Sequence, residues 1–268
     1  MRRKALAALL PALLAFQGCI SFTTLVKIKP DGSGTIVQTI TMSTKFLEQM
    51  KAMGSSFGDQ KSGGATDMFS EKEARESVSK LGPGVTFVGM EKVKTTDHEG
   101  MTATYAFTDV TKLRISEAPD APGSSGHGEE PLQFRFQKGA GSSTLTIAMH
   151  DTKKAEAKKG KSAASEKEAA DAPPDPAAMA QMKELFKGMK LGVAVEVDGK
   201  LVKTNSAYVE GNKVTVLEMD FDALLDDPKA LEKMAARKGD TLDDAKEILK
   251  DVKGIKVNLV PELFIEMR

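Results

Sequence analysis

Apolar and polar residues alternate with a period of two along much of this chain, which is the pattern of strands with one face in a core. Val26 and Ile28 alternate with Lys27 and Lys29, and the runs Phe22 to Lys29 and Thr35 to Ser43 flank Pro30-Asp31-Gly32-Ser33-Gly34. Asp-Gly between two such runs predicts a hairpin. A second hairpin is expected from Val85 to Lys94 and Met101 to Phe107, around a turn at Asp97 to Gly100. A third is expected from Leu132, Phe134 and Phe136, which turn at Gly139 to Gly141 into Leu145, Ile147 and Met149. Val193, Val195 and Val197 lead through Asp198-Gly199 into Leu201 to Tyr208. Glu210-Gly211-Asn212 then leads into Val214 to Met219, a predicted three-strand meander. At the end of the chain Ile255, Val257, Leu259, Leu263, Ile265 and Met267 all hold odd positions. They mark one face of a terminal strand, or of two strands broken near Pro261.

Helical periodicity interrupts this series. Phe46, Leu47, Met50 and Met53 form one stripe over Thr44 to Met53, and Ser70-Glu71-Lys72-Glu73 is a capping box opening a helix that runs to about Leu81. Met179, Met182, Phe186 and Met189 share a helical face, as do Leu231, Met234 and Ala235. Asp222 to Leu225 starts a helical region, and Thr241-Leu242-Asp243-Asp244 caps a last helix through Val252. Residues 153–175 carry no large apolar side chain and read as a polar linker or insertion. The expected class is therefore α+β, with a largely antiparallel sheet of hairpins and a meander and with helices packed on one face. The expected divisions are a leader over 1–18, a first part of the α+β domain over 19–152, the linker over 153–175, a second part over 176–220, and a helical segment with a terminal strand over 221–268.

The leader is a secretory signal peptide. Met1 to Lys4 holds three cations, and Ala5 to Phe16 is an apolar run too short to span a bilayer. Gly18 then precedes Cys19, the chain's single cysteine. A small residue directly before a lone cysteine resembles a bacterial lipobox, in which the thiol is acylated and becomes the new N-terminus. With no second cysteine to pair with, Cys19 is the lipidation site expected from the sequence. One acyl chain holds a protein only marginally, whereas three chains at about 0.8 kcal/mol per methylene supply on the order of 30 kcal/mol. Ile20 and Ser21 follow, neither of them the Asp that resembles an inner-membrane retention signal, so the outer membrane is favoured, facing the periplasm or the exterior.

Composition narrows the function further. Lys and Arg number 38, as do Asp and Glu; loss of Arg2, Arg3 and Lys4 with the leader leaves a net charge of −3, with no footprint for nucleic acid. Aromatic residues are few and methionines number fourteen, which suits irregular core filling or an adaptable apolar pocket. Gly54-Ser55-Ser56-Phe57-Gly58 matches a nucleophile elbow in letters, but a helix precedes Ser56 where the elbow needs a strand. Its available partners, His98, His127 and His150, fall in a turn, a glycine-rich loop and the linker edge. No two histidines lie at zinc spacing, and Asp226-Asp227 and Asp243-Asp244 read as helix-start residues rather than calcium ligands. No metal, cofactor or enzyme activity is expected. The loop Met53 to Phe69 mixes Gly and Ser with apolar residues and reads as an insertion in preference to a lid over an apolar cavity.

The Cys19 start, Leu25-Val26-Lys27-Ile28 with the Asp31-Gly32 turn, and the stretch from Val195-Glu196-Val197-Asp198-Gly199 through Asn205 to Val214-Thr215-Val216 resemble LppM-like bacterial lipoproteins. The resemblance implies an envelope-exposed α+β domain similar in shape to lipid-binding folds. It assigns no ligand-binding residue here. The reading is a non-enzymatic lipoprotein held to a membrane through acyl chains on Cys19, binding a lipid or other apolar ligand. The alternative is a scaffolding lipoprotein that docks envelope proteins through a strand edge or the terminal strand.

Overall fold

The computed structural model describes residues 20–48, 69–116, 131–149, 188–227 and 252–268. Strands β1 (Ile20–Ile28) and β2 (Gly34–Ser43) form the first hairpin, with Ile20 opposite Met42 and Ile28 opposite Gly34. The Lys29 N–H donates to the Ser33 carbonyl at 2.8 Å to close the turn. Asp31 accepts from both the backbone N–H and the hydroxyl of Ser33, which holds its carboxyl below the usual carboxylate range. Gly34 is required by space: a Cβ there would stand 1.9 Å from the Lys27 carbonyl oxygen and 2.8 Å from the Phe107 ring.

After β2 the chain is helical at 44–48. Helix α1 (Glu71–Leu81) starts on Ser70, whose hydroxyl accepts from the Glu73 N–H as the capping box requires, an interaction worth about 1 kcal/mol. It ends at Gly82, whose φ of 119° lies in the region that favours glycine and whose Cα faces the Lys112 carbonyl. Strands β3 (Thr86–Lys94) and β4 (His98–Phe107) form the second hairpin, and a 3₁₀ turn (Val110–Lys112) follows. Strands β5 (Gln133–Lys138) and β6 (Ser143–Ala148) form the third. The chain resumes with β7 (Lys190–Val197), β8 (Leu201–Thr204), β9 (Val209–Glu210), β10 (Lys213–Asp220), helix α2 (Phe221–Leu225), β11 (Ile255–Val257) and β12 (Glu262–Met267).

The three hairpins form as the alternation predicts, but the expected α+β class, with helices covering one face of a sheet, is overturned. The described residues make two sheets and only short helices. The large sheet runs β11-β10-β7-β1-β2-β4-β3, with β9 added beside β10; the small one runs β5-β6-β12-β8. The predicted meander does not exist. β7 pairs directly with β10, and parallel with β1, while β8 leaves to join β12 in the small sheet. The terminal run is two strands that serve different sheets, separated at Pro261. The reason is that a period of two says which side chains share a face and nothing about which sheet a strand joins. The short β8, the β5–β6 hairpin and β12 together build the layer where helices were expected.

One continuous core lies between the layers. Val26, Ile28, Ile36, Ala103, Tyr105 and Val195 of the large sheet pack in one cluster with Leu145, Ile147, Leu263, Ile265 and Met267 of the small one. Ala74, Val78 and Leu81 of α1 complete this cluster. The Ser143 hydroxyl joins the small sheet to the first hairpin by donating to the Pro30 carbonyl at 2.7 Å, and Lys200 and Arg268, exchanging N–H···O bonds of 2.8 and 3.0 Å, extend the β8–β12 ladder. The opposite face of the large sheet is lined by threonines, including Thr39 and Thr102, whose hydroxyls meet at 3.1 Å. Strands on both sides of segment 153–175 enter the same sheets, since β1 pairs with β7 and β6 with β12. The leader, the linker 153–175 and the expected helical stretches at 179–187 and 241–251 lie outside the described residues.

Candidate functional site

Strand β1 starts at Ile20, so Cys19 is the residue that immediately precedes the fourth of the seven strands in the main order of the large sheet. Cys19 itself lies outside the described residues. No spacer separates it from ordered strand. The end of the sheet at which β1 starts is set by the registers: Ile20 faces Met42, Ser21 faces Lys190, Ser43 faces His98 and Lys190 faces Asp220. Polar contacts line this end. Lys190 Nζ lies 2.9 Å from the Asp220 carboxylate, and Lys94 lies 3.0 Å from Glu99. Asp220 also caps α2 by accepting from the N–H groups of Asp222 and Ala223.

Of the residues weighed for catalysis, Ser56, His127 and His150 lie outside the described residues, and only His98 is placed. It opens β4, with its N–H on the Thr95 hydroxyl at 3.0 Å and its carbonyl accepting from the Thr95 N–H at 2.8 Å, so its backbone closes a hairpin turn. Asp226 is at the C-terminal cap of α2, a helix whose own start is capped by Asp220; the helix expected from Pro228 lies outside the described residues. Asp243 and Asp244 lie outside the described residues. Among the described residues no three His, Cys, Asp or Glu side chains converge as a metal site would need. Of the loop Met53 to Phe69 only Phe69 is described, and it is buried in the core cluster.

An open groove of about 620 Å³ runs along Pro83, Leu113, Arg114, Pro131 and Phe134. Its cations are largely committed to neighbours: Lys112 pairs with Asp109 at 3.3 Å, and Arg135 pairs with Glu262. Met42, Met101 and Met267 are buried in the core, and among the described residues no buried side-chain nitrogen or oxygen lacks a hydrogen-bond partner.

Two buried polar groups make hydrogen bonds that the sequence did not signal. Asn258, 5% exposed, donates to the carbonyls of Thr215 and Val216 and accepts from the Ser206 hydroxyl at 2.8 Å. It thereby holds the bulge of β10 against the loop that follows β8. Tyr105, 1% exposed, donates to the Ala74 carbonyl at 3.1 Å and meets Phe87 edge-on at 6.0 Å between ring centroids. Burial raises the pKa of this phenol above its ordinary value of 10.0. The sign follows: below pH 10 the folded and unfolded chains both hold the proton, and above it the unfolded chain releases the proton first, so stability falls as pH rises. An alkaline titration read at tyrosinate absorbance should show a late phase coincident with unfolding. Tyr105→Phe should abolish that phase and cost about 1 kcal/mol by losing one buried hydrogen bond. Ionisation of Tyr105 in the ordinary tyrosine range with the fold intact would contradict this.

No helix among the described residues is long and apolar enough to cross a membrane. No protein-family model matches the chain, and no curated protein resembles it closely enough to count as a relative. The chain is similar to the folded domain of Mycobacterium tuberculosis LppM, determined by NMR, over 96% of this chain and 95% of that one, with 10% identity and a TM-score of 0.34. A likeness at that level is too distant to assign a shared fold or role.

Proposed function

We propose that this protein is a membrane-anchored bacterial lipoprotein of the cell envelope, without catalytic activity, whose β-rich body binds a lipid or other apolar ligand. The observation that carries the anchor is the N-terminal order: three cations, a twelve-residue apolar run, Gly18 and then the lone Cys19. Its position agrees with that use, because the described body starts one residue later, at Ile20. The outer membrane is favoured by Ile20 and Ser21 after the cysteine. For the ligand, the groove beside Leu113 and Phe134 is an open concavity on the body. Native mass spectrometry of protein stripped of lipid and then offered phospholipid should show a one-to-one adduct. Arg114→Glu, on the groove wall, should weaken that adduct if the lipid headgroup is acidic. A persistently empty species would end the binding role.

A second reading, a scaffold that docks other envelope proteins, is favoured by one observation. β3 is a nine-residue edge strand of the large sheet, with Val88 61% exposed at a bulge. Such an edge can add a strand from a partner. The terminal strand is not available for this: β12 is paired on both sides, by β6 and β8. Photocrosslinking from Val88 in cells tests the scaffold, and recovery of the uncrosslinked monomer alone would count against it.

A further inference from the structure

We infer that the end of the large sheet at which β1 begins is the membrane-contact surface of this protein, lying at the level of the phospholipid headgroups. The inference deepens the lipoprotein reading and rests on it. Consecutive Cα atoms across a trans peptide are 3.80 Å apart, about the length of one residue, so Ile20 is held close to the depth at which acylated Cys19 sits. A lipoprotein with a long tether could hold its body in any orientation, whereas a strand that starts one residue after the anchor cannot.

The position of β1 in the sheet then fixes more than one point. Three strands of the main order lie on each side of it, β7, β10 and β11 on one flank and β2, β4 and β3 on the other. At about 4.8 Å per strand, each flank extends on the order of 14 Å from the anchor along the membrane. Tipping the body to either side would drive one flank into the hydrocarbon. The residues on that row oppose such a movement, since Lys190 with Asp220, and Lys94 with Glu99, are charged pairs that belong in the wet headgroup layer. Both signs occur together, so contact is imposed by the covalent anchor and not by attraction to anionic lipid. The helical stretch 44–48 lies on the same row, directly after Ser43. At the far end of β1 stand the turn 29–33 and the Lys200–Arg268 closure, about 26 Å from the bilayer by eight strand steps. The surface offered to partners is therefore that far end and the flanks of the two sheets.

Acylation consumes the chain's single thiol, so an introduced cysteine is a unique labelling site. Lys45→Cys and Lys29→Cys, both at exposed positions, carry an environment-sensitive fluorophore in the full acylated protein, reconstituted into phosphatidylcholine vesicles bearing a nitroxide on the headgroup. Fluorescence should be largely lost at position 45 and retained at position 29. Equal loss at both positions, or loss confined to 29, overturns the contact surface. Intact mass of the same sample separates the two claims. Acyl mass present with the wrong quenching pattern leaves the anchor standing and removes this orientation, whereas acyl mass absent removes the anchor and the orientation with it.

Discussion

Cys19→Ala should abolish incorporation of labelled palmitate. The unaltered chain, recovered from the envelope, should have an intact mass equal to residues 19–268 plus that of its acyl groups. The argument is one of magnitude. No helix among the described residues is long and apolar enough to cross a membrane, and the row of side chains around Ile20 carries charges of both signs. Three buried acyl chains supply on the order of 30 kcal/mol of attachment. The conservative variant Cys19→Ser separates chemistry from size. Its hydroxyl occupies nearly the same volume but cannot form the thioether, so it should behave as Cys19→Ala does. Palmitate retained by either variant, or missing from the unaltered chain, would place the anchor elsewhere or remove it.

Strand by strand, the local structure was legible in the sequence because it is set by neighbours a few residues apart. The Asp31-Gly32 turn, the alternation through Met101 to Phe107 and the Ser70 cap of α1 all depend on short-range geometry, and all are present. The break near Pro261 was legible too, because proline cannot donate to a ladder. What could not be read is how distant strands combine. Nothing local in Leu201 to Thr204 says that it abandons β7 for β12, or that Val193 to Val197 runs parallel to β1 some 170 residues earlier in the chain. Such pairings are chosen by the fit of whole layers, and they replaced the expected cover of helices with a second sheet. The candidate site divides in the same way. Cys19 is expected from the sequence alone, whereas the central place of β1, the strand that follows it, is a property of the strand order. Asn258 shows the limit most plainly: between Val257 and Leu259 it reads as the outer face of a strand until the carbonyls of the β10 bulge are beside it.

Ile265→Ala should lower the free energy of unfolding by about 2–5 kcal/mol, a large part of the roughly 5–15 kcal/mol that holds a domain together. Ile265 has no exposed surface and sits on β12, between Leu145 of β6 and Thr204 of β8. Truncation removes two methyl groups and a methylene and leaves a void between rigid layers, which cannot close without separating main-chain ladders on both sides. The neighbouring exposed position supplies the control. Glu262 lies on the same strand and pairs with Arg135 at the surface, where the removal of one partner costs at most about 1 kcal/mol. Urea unfolding followed by circular dichroism measures both variants. If β12 is an interior strand of a layer sharing one core with the large sheet, Ile265→Ala should shift a single transition in which both sheets melt together. A small sheet that melts alone while the large sheet holds, or an Ile265→Ala cost no greater than that of Glu262→Ala, would show that the two layers are not one cooperative core.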